Sequence, residues 1–287
     1  MTLGTIHTAT GPLAELANAA DSIVIPSATD DKYSRGVLGV VTGSTQYPGA
    51  AVLGVEAALR TGLGMLRYCG PAAVGEAVLA KRPEIVIGAG RSSAWLLGSG
   101  IDPAHLDLWQ DEAMSSALAS GIPCVLDAGA LGRVGELRGP GILTPHGREL
   151  SRLLGALGHD VSVEQVLGEP AAAASLAASA TGCTVLLNGS NTTICSPGGL
   201  DYRMPAAPSW LATAGTGDVL AGILGALVAT NAQRIRDDPE TLVPIAAAAV
   251  TVHSLAATLS SGGGPLVAFD VAKLAGDAVR HILTAPQ

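Results

Sequence analysis

Aromatic side chains make up only 3% of the 287 residues: one phenylalanine, three tryptophans and four tyrosines. So few rings leave little for base stacking, the usual platform for single-stranded nucleic acid. Cations are also scarce, with 16 Lys+Arg against 24 Asp+Glu and a formal net charge of −8. That balance supplies neither the basic footprint of a nucleic-acid binder nor a polybasic membrane anchor. Cysteine is limited to Cys69, Cys124, Cys183 and Cys195, each in or beside an apolar run and none in a CxxC pair. The pattern reads as buried free thiols in a reducing, cytoplasmic setting and argues against disulfides or a metal site. Charged residues total 14% and hydrophobic ones 48%, which excludes a disordered chain. The first residues lack a basic stretch leading into an apolar core, so no signal peptide is expected. The apolar segments 219–229 and 245–260 fall short of the roughly 20 strongly apolar residues of a membrane span and are expected to be buried helices.

What is present is small and aliphatic. Without rings, the core must be built from Ala, Val, Leu and Ile, and the 37 glycines allow backbones to approach closely. Apolar runs at 37–42, 65–69, 84–87, 124–127, 142–144, 184–187 and 192–195 predict strands. Several are continuous, as in parallel strands buried on both faces. Helical patterns cover 49–61, 111–120, 147–154, 162–181, 217–230, 244–260 and 266–283. The alternation predicts an α/β fold, a central, mostly parallel sheet flanked by helices. Residues 1–287 are expected to form one domain, with 1–35 an N-terminal extension packed on it. In such sheets ligands bind beyond the carboxyl ends of the strands. The runs 184–187 and 192–195 are separated by Asn188-Gly189-Ser190-Asn191, a spacing that predicts a hairpin or tight turn.

The sharpest local signal is Ala212-Thr213-Ala214-Gly215-Thr216-Gly217-Asp218, followed at once by the apolar run from Val219. A loop of small residues opening a helix offers successive backbone N–H groups and a positive helix end, an arrangement suited to phosphate. Asp218 falls in the first turn. It either orients or deprotonates a hydroxyl that attacks the phosphorus, or it complements the helix dipole. The dipole is expected to lower its pKa, which favours orientation over proton abstraction.

With its neighbours, this motif resembles the ribokinase-like superfamily and, more closely, the ADP-dependent NAD(P)H-hydrate dehydratase family. The likeness runs from about Gly36 to Leu283. It is carried by GVLGVVTGSTQYPGAAVLGVEAALRTGLGMLR at 36–67, VLDAGAL at 125–131, LTPH at 143–146 with Glu149 close behind, the 185–196 hairpin, ATAGTGDVLAGILGAL at 212–227, the helix bearing His253 and the 264–270 segment. The resemblance implies a ribokinase-like three-layer sandwich. It implies an enzyme that phosphorylates the hydroxyl of a hydrated dihydropyridine ring with ADP and Mg²⁺. Elimination of phosphate then restores NADH or NADPH, with AMP released. It further implies that Asp218 meets that hydroxyl and that Gly215, Thr216 and Gly217 lie against the transferred phosphate. Asn188, Gly189, Ser190, Asn191 and Thr192 would line the nucleotide, and Ala50, Gly90 and His146 the substrate.

Three positions depart from the family pattern. Asn188-Gly189 stands where Lys-Gly is usual, Asp127-Ala128-Gly129 where Asp-Ala-Asp is usual, and Gly88-Ala89-Gly90 where Gly-Pro-Gly is usual. The first removes a cation next to the nucleotide. Asp127, at a strand end, is a site candidate on position alone. Glu149 either caps the helix after Gly147 or lies near phosphate or Mg²⁺, and His253 is expected to be packed or on the surface. Two other readings remain open: an ATP-dependent kinase for a small alcohol on the same fold, and a nucleotide-binding homologue without catalysis. The family's epimerase activity belongs to a separate domain, for which the stretch before Gly36 has no room, so dehydration alone is expected. A surface with few charges predicts a homo-oligomer, and the resemblance suggests a tetramer.

Overall fold

The computed structural model describes residues 6–8, 18–189 and 191–285. Ser190 therefore lies outside the described residues, as do 1–5 and 9–17 of the expected extension. The sheet is formed by β1 (Ile6–Thr8), β2 (Val37–Val41), β3 (Met65–Tyr68), β4 (Val86–Ile87), β5 (Ala94–Leu97), β6 (Cys124–Leu126), β7 (Gly141–Leu143), β8 (Thr184–Leu187), β9 (Thr193–Cys195) and β10 (Asp201–Arg203). Their order is β1-β10-β9-β8-β7-β6-β5-β2-β3-β4. From β8 through β4 every neighbouring pair is parallel, whereas β9 runs antiparallel to both β8 and β10. The expected hairpin is the β8–β9 pair.

Successive strand residues face opposite sides, and this alternation feeds two cores. Leu38, Val40, Leu66, Tyr68, Leu96, Val125, Ile142, Leu186 and Ile194 enter one. Val41, Cys69, Trp95, Leu97, Leu126, Leu143, Val185 and Leu187 enter the other. The first core is closed by α1 (Pro48–Thr61), α2 (Ala72–Lys81), α7 (Thr216–Thr230), α9 (Leu242–Ser261) and α10 (Ala268–Thr284). The second is closed by α3 (Leu108–Ala119), α4 (Gly147–Ala156), α5 (Val163–Gly168) and α6 (Pro170–Thr181). The short α8 (Ala232–Asp237) follows α7. The result is a three-layer sandwich. All four cysteines are buried and free, as expected.

Several boundaries differ from those read in the sequence, each for a local reason. The helix expected over 162–181 is two, because Pro170 has no N–H to donate and pushes the preceding Glu169 out of helical geometry, at φ −131°, ψ 62°. The strand expected over 84–87 is reduced to an exposed two-residue edge. The four apolar residues of β5 form a fully buried strand that is not among the strands expected from the sequence. Helix α9 reaches the length and composition of a membrane span, with mean hydropathy 1.8 over its most apolar window. It packs against α7 and α10, and its His253, Ala256 and Ala257 are interior.

Candidate active site

The carboxyl ends of β2, β5, β6, β7 and β8 form one rim, and the helices that follow begin there. Helix α1 starts with Pro48, whose fixed φ suits the first helical position. This start places Ala50, buried, in the first turn. Gly100, two residues past the short turn at Gly98, packs on it: a Cβ at Gly100 would lie 2.3 Å from the Ala50 Cβ and 3.1 Å from the Tyr47 carbonyl. The Gly43 amide donates to the Ser99 carbonyl at 2.7 Å, and the Gln110 side chain donates to the Gly43 carbonyl at 2.9 Å. The ends of β2 and β5 and the start of α1 thus make one wall.

The glycine loop faces it. Gly215 has φ +90°, and a side chain there would press on Leu53 of α1 and Ala268 of α10. Only glycine accepts both the backbone and the space. The loop is held from beneath: the Thr216 hydroxyl donates to the carbonyls of Leu211 at 2.8 Å and Thr213 at 2.9 Å. No side chain caps α7, so its first N–H groups keep their capacity for an anion. Gly217 is exposed, and a Cβ on it would meet open space.

Helices α1 and α7 cross at glycines. A Cβ on Gly222 would lie 2.2 Å from the Gly54 carbonyl oxygen, and one on Gly54 would lie 3.4 Å from the Asp218 carbonyl oxygen. One turn before each glycine stand Ala50 and Asp218, so the crossing sets Asp218 beside the Ala50–Gly100 wall. Burial raises the Asp218 carboxyl to about 7, and the charge of Asp127 adds to the effect. The helix-dipole expectation is thereby corrected, since desolvation outweighs the favourable helix end. No hydrogen-bond donor among the described residues offsets that burial.

Across the rim, His146 and Asn188 form a parallel bridge at the ends of β7 and β8, with the Asn188 amide donating to the Pro145 carbonyl at 2.9 Å. His146 caps α4: the Glu149 amide donates to its Nδ1 at 3.3 Å, and the His146 amide donates to Glu149 Oε2 at 2.9 Å. Glu149 is thus the capping partner, one of the two roles left open for it. Gly189 and Asn191 are exposed at the hairpin tip, and Thr192 is buried beneath them, its carbonyl accepting from the Met204 amide at 2.9 Å. His253 is packed. Burial pushes its pKa down to about 4, against a hydrogen bond to the Thr216 backbone.

Gly90 is not brought to this wall. It lies on the Arg67 guanidinium, in the connection that returns from edge strand β4. That connection ends with Ser93 donating to the Val37 carbonyl at the amino end of β2. The glycine run at a carboxyl end is Gly98-Ser99-Gly100, after β5. The signal that could have found it is the Ala-Trp-Leu-Leu run immediately before Gly98.

A family model described as NAD(P)H-hydrate dehydratase matches residues 38–264. The chain belongs to the NAD(P)H-hydrate dehydratase family. Among its relatives, a bifunctional NAD(P)H-hydrate repair enzyme of Mycobacterium leprae is 38% identical over 94% of this chain and 55% of its own length. An ADP-dependent (S)-NAD(P)H-hydrate dehydratase of Neisseria meningitidis is 34% identical over 69% of this chain and 71% of its own. The chain spans about half the length of the bifunctional relatives it matches. Among solved structures, the ADP/ATP-dependent NAD(P)H-hydrate dehydratase of Bacillus subtilis, co-crystallised with ATP/Mg²⁺, superposes with a TM-score of 0.79 at 25% identity, over 92% of this chain and 96% of its own. A ribokinase-like superfamily protein of Enterococcus faecalis, 20% identical, shares the fold over 98% of each chain with a TM-score of 0.80. The ribokinase-like architecture expected from the sequence is therefore present in this dehydratase-family chain.

One consequence is local. Gly100→Ala, with φ +64° and Ala50 at 2.3 Å from the new methyl, is expected to push α1 off the wall. If the substrate of the family's reaction binds on this wall, activity should fall at least tenfold through a higher KM, an effect of about 1.4 kcal/mol or more, while Gly90→Ala changes it little. Steady-state kinetics of both variants check this.

Proposed function

We propose that the chain dehydrates hydrated NADH or NADPH with ADP as phosphoryl donor, releasing AMP and phosphate. The observation that carries this reading is Asp218, with its carboxyl near neutrality, set between an uncapped helix start and the small-residue wall of Ala50 and Gly100. Gly215, Thr216 and Gly217 offer backbone donors to the terminal phosphate. Asn188, Gly189, Asn191 and Thr192 line the rest of the nucleotide. Ala50, His146 and Asp218 take the hydrated ring, with Gly100 in the place first expected for Gly90. Asp218 accepts the hydroxyl proton as that oxygen bonds the terminal phosphorus and the bond from phosphorus to the nucleotide's bridging oxygen breaks. Phosphate then leaves with the C–O electron pair, and a proton lost from the adjacent ring carbon closes the double bond.

Among the described residues no group of three Asp, Glu, His or Cys side chains forms a metal cage. Magnesium prefers phosphate oxygens and water, so an Mg²⁺ ion here would come with the nucleotide. The buried reduced thiols support a cytoplasmic setting. Exposed Leu108 and Trp109 on a sparsely charged surface support a homo-oligomer, with a tetramer as its proposed form.

The test mixes the protein with hydrated NADH, Mg²⁺ and either ADP or ATP and follows the absorbance of reduced nicotinamide. Recovery with ADP is expected. A stable phosphorylated alcohol without NADH would identify a small-molecule kinase, and nucleotide binding without turnover an inactive homologue.

A further inference from the structure

Gln110, in the first turn of α3, is a polar side chain sealed in the interior, only 3% exposed. Its root is fixed by the cap of its own helix, where the Asp107 carboxylate accepts from the Gln110 amide at 2.7 Å. From there its Nε2 crosses to the sheet and donates to the Gly43 carbonyl at 2.9 Å, 67 positions earlier in the chain. Gly43 is buried, and no other hydrogen bond reaches that carbonyl among the described residues. A buried carbonyl requires a donor, so this one depends on the Gln110 amide.

What hangs on Gly43 is the small-residue wall. Gly43 has φ +75°, and a Cβ there would lie 2.8 Å from the Ala51 Cβ of α1. Its amide donates to the Ser99 carbonyl at 2.7 Å. A Cβ on Gly100 would lie 3.4 Å from the Gly43 Cα and 2.3 Å from the Ala50 Cβ. Gly43 thus touches both halves of the wall, the start of α1 and the turn after β5. Between Gly43 and Ala50 the chain is exposed over residues 45–49, so it takes its course from the points where its two ends are held.

We propose that Gln110 is a positioning residue for the substrate: its bond to the Gly43 carbonyl holds the 43–50 connection against the Gly98–Gly100 turn, so that Ala50 and Gly100 meet the hydrated ring as a preformed surface. The inference rests on the proposed reaction and names a residue behind the wall that sets its shape. Neither Gln110 nor Gly43 hydrogen-bonds to the glycine loop or to the 188–192 hairpin. Loss of the donor should therefore be felt by the dinucleotide and not by ADP.

Gln110→Leu keeps the size of the side chain and removes the donor. It is expected to raise KM for the hydrated dinucleotide about tenfold, with kcat and the Kd of ADP each within about twofold of the wild type. Amide hydrogen exchange of nucleotide-free protein should quicken about tenfold across 43–50 and stay unchanged in the glycine loop. A merely structural role would lower Tm without this split. Should the leucine variant fail to fold, Gln110→Met makes the same change with a more flexible side chain and is read the same way. Unchanged exchange across 43–50, an unchanged KM, or equal losses of dinucleotide and ADP affinity would overturn the proposal. Exchange needs no turnover, so the two failures are distinct: a wild type that regenerates no NADH defeats the proposed reaction, and unchanged exchange in the variant defeats the anchoring of the wall.

Discussion

Asp218→Asn is expected to lower kcat by about a thousandfold, the middle of the range for removing a positioned general base, with ADP affinity changed by less than about threefold. The asymmetry follows from the proposed geometry: the backbone donors assigned to phosphate belong to Gly215, Thr216 and Gly217, which the substitution leaves in place. In the wild type, the carboxyl must be ionised to accept a proton. Its value of about 7 therefore predicts that kcat/KM falls tenfold per pH unit below neutrality, and the Asn variant should lack that limb. Stability carries the opposite sign. A carboxyl whose folded pKa is raised holds its proton more tightly in the native state than in the unfolded one, so native stability declines as pH rises from the ordinary carboxyl value of 3.8 to about 7. Asp218→Asn should accordingly raise the nucleotide-free Tm at pH 8 and leave it unchanged at pH 4. Steady-state rates across pH, with thermal unfolding at both ends, check the two signs together. A variant retaining wild-type kcat would remove Asp218 from the chemistry.

Which of these features the sequence announced depended on whether the cause was local. The glycine loop opening an apolar helix is local, and Gly215, Thr216, Gly217 and Asp218 stand where their spacing places them. The 188–192 turn is local too, since a short polar gap between two apolar runs leaves a hairpin as the simplest connection. The charge state of Asp218 is not local. Its neighbours in sequence suggest a helix dipole, whereas its pKa is governed by burial and by Asp127, 91 positions earlier. The proposed exchange of Gly90 for Gly100 has the same root. Val86-Ile87 and Ala94-Trp95-Leu96-Leu97 are both short apolar runs followed by glycine, and only the assembled sheet shows the first as an exposed edge and the second as an interior strand. Likewise, Asp127 accepts hydrogen bonds from Ser99 and Thr144, residues that follow different strands and become neighbours only through the sheet order.

Gly222→Ala is expected to destabilise the protein far more than Gly54→Ala, although both add one methyl at the same crossing. At Gly222 the new Cβ would lie 2.2 Å from the Gly54 carbonyl oxygen and 2.9 Å from its Cα. These are backbone atoms of α1 and cannot swing aside as a side chain would. At Gly54 the nearest atom is the Asp218 carbonyl oxygen at 3.4 Å, an ordinary contact, and alanine in a helix interior gains about 1 kcal/mol over glycine. The first substitution must therefore separate α1 from α7, at a cost of about 3 kcal/mol or more, the upper end for overpacking a core. A domain of this size loses about 2–4 °C of Tm per kcal/mol, so Gly222→Ala should melt roughly 6–12 °C lower, with Gly54→Ala at or slightly above the wild type. The same separation would carry Ala50 away from Asp218, one turn along each helix. The surviving folded fraction of Gly222→Ala should therefore show a raised KM for the hydrated dinucleotide even well below its Tm. Equal melting temperatures for the two variants would show that the helices do not cross backbone to backbone, and the placement of Asp218 beside the Ala50–Gly100 wall would lose its support.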